Sequence, residues 1–360
     1  MNENLIHHSD PPPRWLMLPE SGADGEVGVV IKKIGGSYTV RINGRSLSCI
    51  LSRRLICPNK ATPCSSPKKS SRSGHQVDAD IDINSVVVGD AIRLEETRPE
   101  TGLIISVLPR RNKIARRSAV PMPSAHPFEQ VIAANIDQVV PVIAAADPTP
   151  KWNLLDRYLV SAESAGIPAL VCITKLDLAP EDLQDTFWQE LDNYRRIGYP
   201  LVATSAVSGA GLEEIRQALS GRLSVLLGKS GVGKTSLLNS LHPGLGLRVS
   251  AVSQATGKGK HTTTHQEMFP IQQANVGQET SDYTGAVVDT PGLREFGLWE
   301  ISQGDLALCF PEMSSLLGRC RFGLNCRHDE EPGCAIRKAV MAGQISPRRY
   351  QSYLHIKEEL

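Results

Sequence analysis

The chain has 360 residues, 41% hydrophobic and 21% charged, which at about 150 residues per domain gives two or three folded domains and excludes wholesale disorder. Its 39 Lys and Arg against 38 Asp and Glu leave a formal charge of +1, so any nucleic-acid contact rests on local basic patches. The longest apolar run, Val139 to Ala146, is too short to span a bilayer, and the start MNENLIHHSDPPPRW lacks the basic-then-apolar order of a secretion signal; a cytoplasmic chain is expected.

Residues 1–24, with three consecutive prolines and no apolar period, read as a disordered tail. From Gly25 the pattern changes. GEVGVVIKKIGGSYTVRINGRSLSCIL, VVVGDAIRLEE and TGLIISVLP alternate β-branched and polar residues between turns, which predicts a five-stranded antiparallel barrel over 25–110. A flexible insert at 57–77 interrupts it; Lys60, Lys68, Lys69 and Arg72 stand there with no acid. Arg110, Arg111, Lys113, Arg116 and Arg117 then put five cations into eight residues, either a phosphate-holding patch or a solvated linker.

From about Ile132 short apolar runs (NIDQVVPVIAAAD, PALVCIT, YPLVATS, RLSVLLG, GAVVDT) alternate with helical stretches. This rhythm predicts a parallel sheet covered on both faces, with ligands beyond the carboxyl ends of its strands. RLSVLLGKSGVGKTSLLNSL is such a strand, then G-x-x-x-x-G-K-T, then a helix. Gly228, Gly231 and Gly233 allow the tight turn. The backbone N–H groups of Gly228, Lys229, Ser230, Gly231, Val232 and Gly233, with the helix start at Lys234, Thr235 and Ser236, then surround a phosphate. Lys234 neutralises the β- and γ-phosphates, and Thr235 offers its hydroxyl to Mg²⁺.

GAVVDTPGL ends its strand in D-T-P-G, where Asp289 can hold the Mg²⁺ shell and the Gly292 N–H can sense the γ-phosphate. Between these motifs GKHTTTH offers Thr262, Thr263 and Thr264, one of which, with Thr263 central, can complete the metal coordination as a switch. Upstream, T-K-x-D at Thr174, Lys175, Leu176 and Asp177 closes another strand. There the Asp177 carboxylate can accept from the N1–H and 2-amino group of guanine, and leaving that buried carboxylate unpaired rejects adenine. Lys175 lays its stem along the base. One β-α unit later Ser205 and Ala206 end a strand, with the Ala206 N–H placed for the guanine O6.

These motifs run in the order base loop, S-A loop, phosphate loop, threonine segment, D-T-P-G, so the chain resembles a circularly permuted GTPase, a rearrangement that moves only the chain ends. With a barrel before it and a Cys/His cluster after it, it closely resembles the RsgA (YjeQ) family of ribosome-small-subunit-dependent GTPases, over 25–360 apart from the insert. The resemblance implies an OB-fold barrel that contacts rRNA and a permuted α/β GTPase domain over 111–299. It also implies binding of the small ribosomal subunit by a monomer, with no membrane contact, and GTP hydrolysis stimulated by that subunit late in its maturation. Two departures stand out: Thr174 replaces the Asn that opens the family's base loop, and Leu293 occupies the place after D-x-x-G where many GTPases carry the water-orienting Gln. Intrinsic hydrolysis should therefore be slow, and His261, directly before the threonines, is the candidate to orient water, as the resemblance also implies.

Of the eight cysteines, three crowd together in CRFGLNCRHDEEPGC. Cys320, Cys326, His328 and Cys334 form a soft, closed donor set for one structural Zn²⁺ within a helical domain at 300–360. The family spaces the first two cysteines one residue closer, so the first loop here must bulge. Arg319, Arg321, Arg327, Arg337, Lys338, Arg348 and Arg349 around the cluster can meet phosphates. Two other functions fit parts of this pattern. A phosphate-loop ATPase or nucleotide kinase is opposed by Asp177 and Ala206; a non-enzymatic RNA-binding scaffold with a degenerate nucleotide domain is opposed by intact Lys234, Thr235 and Asp289.

Overall fold

A computed structural model of the chain describes residues 25–52, 55, 86–117, 129–182, 185–247, 265–272, 283–289, 298–299 and 301–360. The tail at 1–24 and the insert at 57–77 lie outside the described residues.

Alternation in the first segment produces β1 (Glu26–Ile34), β2 (Ser37–Ile42) and β3 (Arg45–Leu51), followed by β4 (Ala91–Arg98) and β5 (Thr101–Val107). They close in the order β1-β2-β3-β5-β4 and back to β1. Inward residues Val30, Tyr38, Val40, Ile42, Leu47, Ile92, Leu94 and Ile104 fill the barrel, as a period of two requires. The β3–β5 pairing is parallel while the others are antiparallel, so the barrel is not wholly antiparallel as its sequence suggested. A parallel pair cannot be made by a hairpin; here the connection from β3 to β5 runs by way of β4.

β6 (Lys113–Arg117) and β7 (Glu129–Ala134) form a separate two-stranded ribbon. Most of the basic run is paired within the fold. Arg110 forks onto the fully buried Asp90 (2.7 and 2.8 Å), Arg111 meets Asp137 (2.7 Å), Lys113 meets Glu129 (2.7 Å) and Arg116 donates to Gln130 (2.9 Å). The neutralising acids come from up to 26 positions away, so the run looks uncompensated only in one dimension. Arg111 and Arg117 are the exposed members of the five.

The second sheet contains β8 (Gln138–Ala144), β9 (Val171–Thr174), β10 (Leu201–Ala203), β11 (Leu223–Leu227), β12 (His265–Gln272) and β13 (Tyr283–Asp289), in the order β10-β9-β8-β11-β13-β12. All neighbours are parallel except β12, which runs antiparallel to β13. That edge strand escaped the sequence reading because HQEMFPIQ mixes polar residues and a proline into a short run, as an edge tolerates. Four helices cover the sheet: α1 (Trp152–Ser164), α2 (Thr186–Ile197), α3 (Leu212–Leu219) and α4 (Lys234–Leu241). Leu219 of α3 and Leu237, Leu238 and Leu241 of α4 pack with Val140, Leu226 and Val287; Leu155 and Leu159 of α1 and Phe187 and Leu191 of α2 pack with Ile143 and Ile173. From β8 the chain winds one way through β9 and β10, then returns beside β8 as β11. Their adjacent carboxyl ends therefore form the switch point where such sheets hold ligands.

The last segment contributes α5 (Pro311–Ser314), α6 (Ala335–Met341) and α7 (Pro347–Glu359). Its Phe310, Met313, Tyr350 and Tyr353 share one apolar cluster with Val139, Tyr158 and Val225 of the sheet domain. An ionic cluster reinforces that seam. Arg349, 1% exposed, meets the fully buried Asp156 at 2.6 Å and Glu312 at 2.8 Å. Arg348 bridges Asp156 (2.7 Å) and Glu190 (2.6 Å), and the Tyr194 hydroxyl donates to Asp156 (2.5 Å). Burial alone would raise the Asp156 pKa, but Arg349, Arg348 and these hydrogen bonds outweigh it and hold the group below its ordinary value. Arg348 and Arg349 thus fix α7 to α1 and α2 rather than facing phosphates, because their acidic partners lie more than 30 positions away in sequence. Among the described residues no helix is long and apolar enough to cross a membrane.

Candidate functional site

Three loops converge at the carboxyl ends of β11, β9 and β10. The phosphate loop follows β11, whose five residues are all buried. Gly228 passes so close to β8 that a side chain there would put Cβ 2.7 Å from the Val142 carbonyl oxygen, and Gly233, at φ 96°, supplies the left-handed turn that starts α4. The Lys234 ammonium donates back across the loop to the carbonyls of Gly228 (2.7 Å) and Lys229 (3.2 Å). Two of its three N–H donors are used there, which leaves one for a phosphate. Burial lowers its pKa, and the nearby Asp289 carboxylate opposes that shift. Thr235 and Ser236 follow on the first turn of α4, half-buried.

Asp289 ends β13, in register with Leu226 of β11 on one side and Glu267 of β12 on the other. A hydroxyl from Thr235 and the Asp289 carboxylate are hard oxygen donors, and the register of Asp289 opposite Leu226, two residues before Gly228, places that acid beside the phosphate loop. This set fits Mg²⁺ held partly by water and phosphate. His261, Thr262, Thr263, Thr264, Gly292 and Leu293 lie outside the described residues.

The base loop is tied to both neighbours. Thr174, 4% exposed, donates its hydroxyl to the Val232 carbonyl of the phosphate loop and lies 3.1 Å from the Ile143 carbonyl of β8. Sequence reasoning saw at this position only a missing amide; the hydroxyl makes the cross-loop brace. Lys175 sits in the left-handed region (φ 56°), and its ammonium donates to the Asp147 carbonyl. The Leu176 N–H bonds the Thr204 carbonyl (3.0 Å), joining this loop to the one after β10. Ser205 is fully buried; its hydroxyl donates to Asp177 Oδ1 at 2.5 Å and accepts from the N–H groups of Val207 (3.2 Å) and Ser208 (3.1 Å). Ser205 therefore aims Asp177. The Asp177 side chain is exposed, not buried as its sequence suggested, because it stands on a single 3-10 turn at the open rim. Ala206 is exposed beside it.

The cysteine cluster lies apart, under α7. The ligating atoms of Cys320, Cys326, His328 and Cys334 all fall within 4.8 Å of one another, and all four residues are buried. His328 Nδ1 lies 3.5 Å from Cys320 Sγ and 3.6 Å from Cys334 Sγ. The N–H groups of Ala335 (3.2 Å) and Arg337 (3.5 Å) point at sulfurs, as they do toward thiolate ligands, and the Tyr350 hydroxyl fixes the His328 carbonyl (2.7 Å). Burial lowers the His328 pKa and pushes the Cys326 thiol up to about 12, so Cys326 needs a bound cation to stand as a thiolate. The donor set fits tetrahedral Zn²⁺. The expected bulge is a 3-10 turn at Gly323–Asn325 opened by Gly323 at φ 55°.

The loop from Gly228 to Gly233, the Asp289 carboxylate and the loop from Thr174 to Asp177 share one rim of a sheet whose chain enters at the strand before that last loop. This is a circularly permuted GTPase fold with an OB-like barrel and a Cys₃His module. Residues 107–299 match the family model described as RsgA GTPase. The "Small ribosomal subunit biogenesis GTPase RsgA" of Gemmatimonas aurantiaca is 43% identical over 277 residues, covering 76% of this chain and 84% of that one. Its namesake from Azotobacter vinelandii is 42% identical over 276 residues, covering 77% and 75%. Among solved structures, YjeQ from Thermotoga maritima superposes with a TM-score of 0.67 at 28% identity, covering 93% of this chain and 98% of that one. YloQ, described as a circularly permuted GTPase, gives 0.61 at 27% identity over 95% and 97%. The chain belongs to the RsgA GTPase family and is a GTP hydrolase.

Proposed function

We propose that this chain binds the small ribosomal subunit through its rRNA and, as a monomer, hydrolyses GTP late in that subunit's maturation, with the subunit stimulating turnover. The carrying observation is the Asp177–Ser205 contact, which aims a base-reading carboxylate on the rim that holds Lys234 and Asp289. The names of the relatives support the choice of partner.

In this reading Asp177 accepts from guanine, and Lys175, Leu176 and Ala206 line the base. The loop from Gly228 to Gly233 with Lys234, Thr235 and Ser236 holds the phosphates. Mg²⁺, held by Thr235, Thr263 and the shell of Asp289, would offset charge on the β- and γ-phosphates. Gly292 senses the γ-phosphate, and His261 orients the attacking water in place of the glutamine that Leu293 displaces. Cys320, Cys326, His328 and Cys334 hold one structural Zn²⁺. The division into a barrel at 25–110, a GTPase domain at 111–299 and a zinc domain at 300–360 follows the same reading.

The test is GTP turnover with purified small subunits, with large subunits and with neither, repeated with ATP. Stimulation by small subunits alone, with GTP alone, is expected; equal turnover in all arms removes the proposal. His261→Ala should abolish most of the stimulation, a loss of about 10²-fold for a water-orienting group, while GTP affinity stays within about twofold.

A further inference from the structure

β1 serves both sheets. Its first half closes the barrel against β4 from Glu26 to Val29, and its second half pairs with β12 as Lys32↔Glu267, Lys33↔Gln266 and Ile34↔His265. A register shift between Val30 and Lys32 lets the strand turn from one sheet into the other. The rung then continues: Glu267 is also opposite Asp289, and Asp289 opposite Leu226.

Residues directly opposite in a sheet project from the same face. Lys32, Glu267 and Asp289 therefore form a row whose far end lies against β11, the strand that leads into the phosphate loop and Lys234. Two carboxylates stand between two cations. Like charges directly opposite are destabilising, and here the Lys32 ammonium engages Glu267 at 2.8 Å, with the two side chains 32% and 26% exposed. Without that cation, Glu267 would add a negative charge next to Asp289 and close to the phosphate site.

We propose that Lys32, a barrel residue, is a positioning residue for the nucleotide site: it holds Glu267 and offsets its charge next to Asp289. The barrel thus supplies part of the electrostatics of phosphate binding. The proposal rests on the reading of Asp289 as the metal-site acid, and Asp289→Asn tests that reading separately by its effect on the Mg²⁺ dependence of binding.

The experiment titrates a fluorescent GDP analogue into the full chain, with and without Mg²⁺, at low and high salt. Lys32→Met and Lys32→Gln should each weaken binding about fivefold at low salt, and by less at 0.5 M salt, since screening shortens the reach of the unbalanced charge. Glu267→Gln should stay within about twofold of wild type, and Lys32→Met with Glu267→Gln should return to that level, a non-additive rescue. Lys32→Arg keeps the charge and should match wild type. A merely structural seam would be damaged by either single change and by the double, without salt dependence. Wild-type affinity in both Lys32 variants, or a double variant as weak as Lys32→Met, overturns the proposal.

Discussion

Thr174 offers the sharpest test of how the base and phosphate loops cooperate. Its hydroxyl has one proton and two carbonyls in reach, those of Val232 and Ile143, so it can serve only one at a time. Thr174→Val keeps the shape and deletes the proton, leaving the Val232 carbonyl without this donor at a site only 4% exposed. Such a loss costs roughly 1–3 kcal/mol. Only the part that destabilises the binding-competent loop relative to its other conformations reaches the nucleotide affinity, which sets a ceiling of about tenfold for each 1.4 kcal/mol. Thr174→Asn should act in the opposite sense. An amide brings two N–H donors, enough for both carbonyls, and Gly233 leaves room because it has no Cβ, where one would lie 3.3 Å from the Thr174 hydroxyl. Titration of a fluorescent GDP analogue should rank the affinities Asn at or above Thr, and Thr five- to tenfold above Val, with unchanged thermal midpoints to within a few degrees. Equal affinity for Thr and Val would refute the brace.

Asp156→Asn should cost about 3 kcal/mol of stability, because it puts an amide donor against guanidinium donors and breaks the charge balance around Arg349, which is 1% exposed; urea unfolding followed by the fluorescence of Trp152, whose ring lies 5.9 Å from Arg348, reads this directly. The same group predicts an acid limit: its folded pKa is depressed, so its stabilisation is complete above the ordinary 3.8 and is lost as the pH falls from there through the lower folded value, and Asp156→Asn should flatten that part of the stability–pH curve. Stripping zinc with a chelator, or Cys334→Ser, should lower the thermal midpoint and free α7, since Tyr350 anchors that helix on the His328 carbonyl; metal analysis should return one zinc per untreated chain.

Motifs whose residues act within one loop were legible in the sequence. The phosphate loop, the strand that ends at Asp289 and the Cys₃His spacing carry their geometry locally, because each group sits at a fixed offset from the next. What stayed hidden required partners from elsewhere in the chain. Arg110 and Arg349 read as surface cations until Asp90 and Asp156, both fully buried, came beside them. Thr174 read as a missing asparagine because the carbonyl it reaches is 58 positions away. One signal was available: a lone acid such as Asp156 on the apolar face of α1, between Leu155 and Leu159, rarely stays buried without a cation.

The permutation itself explains where the two appended modules attach to the sheet domain. Keeping the strand order while opening the chain before β8 places new ends at two points of the sheet, and whatever is fused there inherits those positions. The barrel enters ahead of β8, in the interior of the sheet, but pairs through β1 with β12 at its edge, so it grips the sheet from the side of Asp289. The zinc module leaves after β13 and packs back on α1, the helix that follows β8. Each module therefore spans from one end of the opened chain to an element near the other, closing by packing and hydrogen bonds what the permutation opened covalently. A GTPase domain with its ends elsewhere would place the same fusions away from this rim, and neither Lys32 nor Arg349 would have anything in it to hold.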